Sequence, residues 1–182
     1  MILARWRARR ASNLLIEQLR GEIVAASRRP ALYQRFGAPD RLDGRFELLT
    51  LHAGLVLRRL VALGGLGDHM AQDLVNSLFL HFDDTLREMA LSDIAVSKRL
   101  KVMKEAFYGR VAAYGAALDS GSRAELETAL ARNVFGGRDA SASAGALADY
   151  VDSVEAGLAA TPLEDFTTGR FRFPNGRIQI GE

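Results

Sequence analysis

The stretch MAQDLVNSLFLHFDDTLREM, residues 70–89, carries the clearest periodic pattern in the sequence. Its large apolar residues recur every three or four positions, which is the spacing of one face of an α-helix. They are Met70, Leu74, Leu78, Phe82, Leu86 and Met89. Most of the positions between them are charged or polar, and the other apolar residues there are Ala71, Val75, Phe79 and Leu80. The stretch therefore predicts an amphipathic helix over about 68–90, with Asp68 as its N-cap and its apolar face in a core.

The same helical period continues on both sides of this stretch. Further helices are predicted over about 1–29, 45–63, 97–118, 122–135 and 144–160, with short ones beginning at Pro30 and Pro162. Predicted caps are Ser97, the capping box of Ser122 with Glu125, and the capping box of Thr161 with Glu164. The tail FRFPNGRIQI, residues 171–180, alternates apolar and polar residues around Asn175-Gly176, which predicts a hairpin or an extended tail lying on the helices.

These elements predict an all-α protein, a single-domain multi-helix bundle with a short C-terminal extended tail or β-hairpin. A chain of 182 residues is the right size for one domain. Within it, residues 1–29 read as a basic amphipathic N-terminal helical segment, and residues 30–182 as the main helical domain. The N-terminal segment has apolar residues near a helical period, namely Leu3, Trp6, Leu15, Leu19 and Ile23. Such a segment can be a packed first helix, a membrane-surface helix or a targeting peptide.

Composition excludes several kinds of protein. With no cysteine, the chain has neither a disulfide framework nor a thiolate nucleophile. Its longest apolar stretch, residues 53–63, is interrupted by Arg58 and Arg59, so no membrane span is predicted. Residues 1–59 hold 12 arginines against 5 acids, whereas residues 60–182 hold 12 basic residues against 17 acids. This asymmetry favours a basic face that contacts phosphate or anionic lipid, with a solvated surface as the alternative.

No catalytic, cofactor or metal site is predicted. Asp83 and Asp84 begin a partial DDxxD pattern, in which paired carboxylates hold Mg²⁺ against a diphosphate, but the fifth position is Arg87. The histidines at positions 52, 69 and 81 lack the spacing of metal ligands. His52, among apolar neighbours, reads as a hydrogen-bonded core or interface residue. The sequence therefore favours a binding protein over an enzyme.

All three lysines of the chain lie in SKRLKVMKEAFYGR, residues 97–110. The apolar stripe of this helix, from Leu100 to Leu118, leaves Lys98, Lys101 and Lys104 outside the predicted buried face. A solvated face fits this placement, and so does an electrostatic rim that contacts RNA, anionic lipid or an acidic loop of a partner. Gly109 and Gly115 interrupt the same helix, which indicates close packing inside the protein or close approach of a partner.

Several longer segments resemble the ubiquinol-cytochrome c chaperone family. They are PDRLDGRFELLTLHAGLVLRRL at 39–60, FDDTLREMALSDIAVSKRLKVMKEAFYGR at 82–110, and RNVF at 132–135 with its following glycines. The resemblance spans about residues 30–175. It implies an all-helical, non-enzymatic assembly factor for respiratory complex III, with residues 30–182 as the chaperone domain. The compact, arginine-, alanine- and glycine-rich chain resembles bacterial members.

The resemblance also implies partners. The client would be newly made cytochrome b, nascent or newly inserted, and further partners would be the ribosome near its tunnel exit and a small partner protein. The expected location is the cytoplasm, with peripheral contact at the anionic inner face of a bacterial inner membrane, or the mitochondrial matrix side in a eukaryote. No cofactor is implied.

A client-binding role would use an apolar groove with a charged rim. We expect this groove between the helices at 45–63 and 97–118. The candidate partner-binding residues are Lys98, Lys101, Lys104, Tyr108, Arg110, Arg58 and Arg59. Two alternatives remain open at this point: a nucleic-acid-binding helical module that contacts RNA or the ribosome, and a Mg²⁺-dependent diphosphate-handling enzyme that uses Asp83 and Asp84.

Overall fold

The computed structural model describes residues 2–89, 91–137 and 141–177. The helices are α1 (Ile2–Ser27), α2 (Pro30–Gln34), α3 (Leu42–Leu63), α4 (Leu66–Glu88), α5 (Asp93–Ser120), α6 (Arg123–Asn133), α7 (Ser141–Ala159) and α8 (Leu163–Thr167). No strand occurs among these residues. The prediction of an all-α multi-helix bundle is therefore confirmed. None of the helices in the described ranges is long and apolar enough to cross a bilayer.

Helix α3 is the centre of the bundle. Every residue from 47 to 57 is buried, and α3 packs against α1, α4, α5 and α7. The predicted stripe of α4 faces the same core, except that Met89 at its C-terminal end is exposed. On α1, Leu19 and Ile23 are buried in this core, whereas the side chains of Leu3 and Trp6 lie outside the described part of the chain.

One buried polar pair joins α3 to α7. His52 is fully buried, with its Nδ1 2.7 Å from the Leu48 carbonyl oxygen and its Nε2 2.8 Å from the Tyr150 hydroxyl. A neutral imidazole satisfies both contacts by donating from Nδ1 and accepting at Nε2. Burial lowers the pKa of His52 from 6.5 to about 4, so the ring stays neutral at physiological pH. His52 is therefore a hydrogen-bonded core residue.

The C-terminal tail is extended as far as the structure describes it. Phe171 and Phe173 are buried, and the Phe173 amide donates to Glu22 of α1 at 3.2 Å. A Cβ at Gly176 would lie 2.4 Å from the Tyr150 ring, so the tail passes directly over α7. The hairpin is wrong for residues 171–177, because these residues pair with helices instead of a second strand; residues 178–182 lie outside the described part.

Three of the predicted caps are wrong. Helix α4 begins two residues before Asp68, at Leu66, and has no side-chain cap. Helix α5 begins at Asp93, because the Ser92 hydroxyl, not that of Ser97, accepts from the backbone of its first turn. Thr161 does not cap α8. Its hydroxyl donates back to Gly157 at 3.0 Å, so it serves the end of α7. Ser122 does cap α6, by accepting from the Glu125 amide at 3.3 Å.

Candidate functional site

The groove was predicted between the helices at 45–63 and 97–118, which correspond to α3 and α5. These two helices pack against each other. The seven candidate partner-binding residues lie on these two helices, but in three separate places. Lys98, Lys101, Lys104 and Tyr108 are exposed on the outer side of α5. Arg110 lies on the side of α5 that faces the start of α3, and Arg58 and Arg59 lie near the end of α3.

The lysines have no carboxylate partner within the described residues. Lys104 places its Nζ 5.6 Å from the centre of the Phe79 ring, which is a weak cation–π contact at this exposed position. Tyr108 is 47% exposed, whereas its neighbour Phe107 is fully buried. Phe107, which belongs to the predicted apolar stripe of this helix, enters the core, and its neighbour Tyr108 stays at the surface.

Arg110 is mainly an internal residue. Its Nε donates to the Glu47 carboxylate, and its Nη1 donates to the Ala106 carbonyl at 3.2 Å. The Glu47 side chain is only 8% exposed. Burial raises the pKa of the Glu47 carboxyl, and the Arg110 guanidinium opposes part of that rise. Arg110 thus compensates a buried charge on α3, which ties α5 to the centre of the bundle.

Arg58 and Arg59 are also engaged within the protein. Arg58 donates from Nη1 to Asp119 of α5 at 2.5 Å and from Nε to Glu155 of α7 at 2.7 Å. Arg59 donates from Nε and Nη2 to the Thr161 carbonyl oxygen, at 3.0 and 2.8 Å. Arg58 therefore pairs with acids across two helix interfaces, those of α3 with α5 and of α3 with α7. Arg59 holds the chain that leaves α7.

An apolar groove runs beside these two arginines, and we call it the α3–α5 groove. Its volume is about 490 Å³. The apolar and aromatic lining consists of Gly54, Leu55, Leu57, Val61, Ala62, Val111, Tyr114, Gly115, Leu118, Leu158 and Ala159. Charged side chains at its rim are Arg58, Arg59, Asp119 and Glu155. This is the apolar groove with a charged rim that the sequence predicts between α3 and α5.

Gly115 lies open to this groove. A Cβ at Gly115 would have no heavy atom within 4 Å, and the same is true of Gly109, whereas a Cβ at Gly54 would contact Val111 at 3.3 Å. Neither Gly109 nor Gly115 has a positive φ. Internal packing therefore does not require these two glycines, although each weakens the helix relative to alanine. At Gly115 the bare backbone leaves room for a bound segment.

A second groove lies on the opposite side of α5, and we call it the α5–α6 groove. Its volume is about 750 Å³. Its lining includes Phe46, Glu47, Leu91, Lys98, Val102, Met103, Arg110, Arg132 and Asn133. Arg110 is paired with Glu47, so Lys98 and Arg132 are the cations of this groove without a carboxylate partner among the described residues. The two grooves together give α5 an accessible flank on each side.

Sequence reasoning missed several residues of these surfaces. Ile94 and Val102 are 71% and 64% exposed, and Val61 is 58% exposed. The signal for the first two was present in the sequence, because both fall outside the predicted stripe of α5. Val61 lies in the last turn of an almost wholly apolar helix, where periodicity cannot separate the buried side from the open one.

Asp83 of the acidic motif is engaged in ion pairs. It accepts from Arg87 Nε at 2.7 Å, and Arg87 also donates to Asp93 at 2.7 Å. Within the described ranges, no group of three histidine or acidic side chains converges as metal ligands would. Asp83 is therefore part of a surface ion-pair network that joins α4 to α5.

Comparison with known proteins identifies the family. The model of the family described as "Ubiquinol-cytochrome C chaperone" matches residues 34–173. The crystal structure of the Cbp3 homolog from Brucella abortus superimposes with a TM-score of 0.84 and 34% sequence identity, and the match covers 96% of this chain and 97% of that one. No curated protein matches the sequence significantly. The matched range includes α3 to α8 and both grooves, and the chain belongs to the ubiquinol-cytochrome C chaperone family.

Proposed function

We propose that this protein binds newly made cytochrome b in the α3–α5 groove and so promotes assembly of ubiquinol-cytochrome c reductase, complex III. Membership of the chaperone family supports a role in complex III assembly. The choice of client and site is our proposal. It depends chiefly on one observation, the open apolar groove over Gly115.

The chemistry of the groove suits such a client. Cytochrome b is a membrane protein. Its apolar helices are exposed and can misassemble until they are fully inserted. An apolar helix can bind by laying one face into an apolar groove. The absent side chain at Gly115 allows close approach of backbones, as small residues do where helices pack in membranes. Arg58 and Asp119 at the rim can contact polar groups at the end of the bound segment.

No chemical step is required for this role, and the competing functions have less support. The diphosphate-handling enzyme would need a free Asp83, whereas Asp83 is paired with Arg87. The nucleic-acid module would use the basic N-terminal third, in which Arg20, Arg45 and Arg58, three of its twelve arginines, are each paired with an acid. A ribosome contact and a small partner protein remain predictions from the family resemblance.

The test uses substitutions at the two unopposed glycines. Gly115→Leu places four carbon atoms in the groove, whereas the matched control Gly109→Leu adds the same side chain to an exposed position that does not line it. Neither side chain meets an atom of the protein at its Cβ, so both variants should fold. Folding is checked by circular dichroism and urea unfolding.

The variants are expressed in a strain that lacks the gene. The readouts are the reduced-minus-oxidised haem spectrum of membranes and complex III activity, with succinate dehydrogenase as an internal control. We expect wild type and Gly109→Leu to restore b-type haem and complex III activity, and Gly115→Leu to fail. Full rescue by Gly115→Leu would refute the groove as the client site. Normal b-type haem in the deletion strain itself would refute the client.

A further inference from the structure

The outer side of α5 combines positive charge with exposed apolar side chains. At about 100° per residue, seven apolar, aromatic or charged side chains fall within an arc of roughly 160°, together with the small polar Ser97. We call this surface the lysine face, and its members are Ile94, Lys98, Lys101, Val102, Lys104, Glu105 and Tyr108. All seven are exposed. Together they make the solvent-facing side of the first half of α5 both basic and apolar.

The charge of the lysine face is uncompensated. Nearby arginines are neutralised by neighbouring acids: Arg87 by Asp83 and Asp93, and Arg99 by Asp43 at 3.5 Å. The three lysines have no such partner among the described residues, and Glu105 is the one acid on the face. The face therefore carries a net positive charge that is available to an external anion.

The apolar members protrude into solvent. Ile94 is 71% exposed and Val102 is 64% exposed, and Leu91, just before the helix, is also exposed. A single exposed aliphatic residue is ordinary, but here Ile94 and Val102 share one side of the helix with three lysines. Leu91, Lys98 and Val102 line the same groove, so the apolar and basic groups are neighbours in space.

We propose that the lysine face docks on the surface of an anionic phospholipid bilayer. The ammonium groups would contact lipid phosphates while Ile94, Val102 and Tyr108 enter the headgroup region, as on interfacial helices. Lysine stems can lie along apolar surface with the charge at the phosphates. Two of the three apolar members, Ile94 and Val102, are aliphatic, which favours lipid over RNA, because single-stranded RNA is held by stacking on aromatic or arginine planes and Tyr108 is the one such plane on the face.

This docking is separate from the proposed client site. The lysine face lies between the two grooves that flank α5, so a docked protein would hold both grooves near the membrane surface. The experiment uses purified protein without any client. Its outcome therefore leaves the proposed chaperone function untouched.

The assay is flotation of the full chain with two kinds of vesicle, one of phosphatidylcholine alone and one of phosphatidylcholine and phosphatidylglycerol in equal parts. Wild type should bind the second kind only, and salt should weaken binding. Each lysine contributes about fivefold to the partition coefficient, so Lys101→Glu/Lys104→Glu should lower it by about 25-fold or more. Arg28→Glu/Arg41→Glu changes net charge equally at exposed positions elsewhere and should lower it much less.

A second pair tests the apolar members. Ile94→Gln/Val102→Gln should lower partitioning by about tenfold. Val61→Gln/Leu66→Gln, exposed at the turn between α3 and α4, should have little effect. The proposal would be overturned if a pair on the lysine face and its matched control pair lost vesicle binding equally. It would also be overturned if Lys101→Glu/Lys104→Glu bound the vesicles as well as the wild type. A third outcome against it is that Ile94→Gln/Val102→Gln keeps its affinity for the vesicles while the protein binds an RNA oligonucleotide through the lysines.

Discussion

Replacing Gly109 and Gly115 by alanine should make the protein more stable. Both glycines lie within α5, and an added Cβ would meet no atom within 4 Å at either position. Alanine is favoured over glycine in a helix interior by about 1 kcal/mol, chiefly because it restricts the unfolded chain. Each substitution should therefore raise the free energy of unfolding by about 1 kcal/mol, and the double variant by about 2 kcal/mol.

Two other glycines provide the contrast. A Cβ at Gly44 would lie 2.0 Å from the Pro39 carbonyl oxygen, and one at Gly67 would lie 2.3 Å from the Leu60 carbonyl oxygen. The contacting atoms are backbone, so relief requires the chain to shift. Gly44→Ala and Gly67→Ala should each lower the free energy of unfolding by about 1–3 kcal/mol.

Urea unfolding followed by circular dichroism measures all four variants. A domain of this size should show a change in Tm of about 2–4 °C per kcal/mol, and urea midpoints should shift without a change in slope. Loss of stability in Gly109→Ala or Gly115→Ala would show that internal packing needs these glycines. Gly115 would then be a packing residue of the protein itself and not an opening for a partner.

Two further predictions concern buried charge. The pKa of His52 falls from 6.5 to about 4 on folding. As the pH is lowered, His52 of the unfolded chain is therefore protonated at a higher pH than His52 of the folded protein. The stability that neutral His52 confers is complete above about pH 6.5 and decreases by about 3 kcal/mol as pH falls to about 4. Urea unfolding across this range should show that the stability of His52→Gln depends less on pH than that of the wild type, whereas exposed His69→Gln, the control, should behave like the wild type. An unchanged pH dependence in His52→Gln would contradict a buried neutral ring. Arg110→Met leaves Glu47 unpaired and should lower the free energy of unfolding by about 3 kcal/mol. Arg110→Met/Glu47→Leu should recover most of this loss, because it also removes the buried carboxylate. Equal losses of stability in the two variants would show that Arg110 does not compensate the charge of Glu47.

The helices were largely predictable because burial imposes a regular period on them. The stripe from Met70 to Leu86 is buried as predicted, and α3 was visible as an almost continuous apolar run. Helix ends were less predictable, because several serine, threonine and aspartate residues compete as caps. At the start of α5, Ser92 and Ser97 are both suitable residues, and the choice depends on where α4 ends.

The candidate site was predictable only in outline. The sequence placed the groove between α3 and α5, but it offered no reason to separate Arg110 from the lysines. That difference arises from Glu47, a buried acid of α3 that is 63 residues away in the chain. Arg58 and Arg59 likewise find their partners about 100 residues away. Such long-range pairs carry no local signal in a single sequence.

Site-specific photo-crosslinking in growing cells can show whether cytochrome b occupies the α3–α5 groove. A photoreactive residue is placed at position 115 in the groove, and in separate strains at exposed positions 109 on α5 and 128 on α6. We expect a crosslinked product that contains cytochrome b from position 115, with little or none from positions 109 and 128. Absence of cytochrome b from the position 115 product, or equal yields from all three positions, would contradict this expectation.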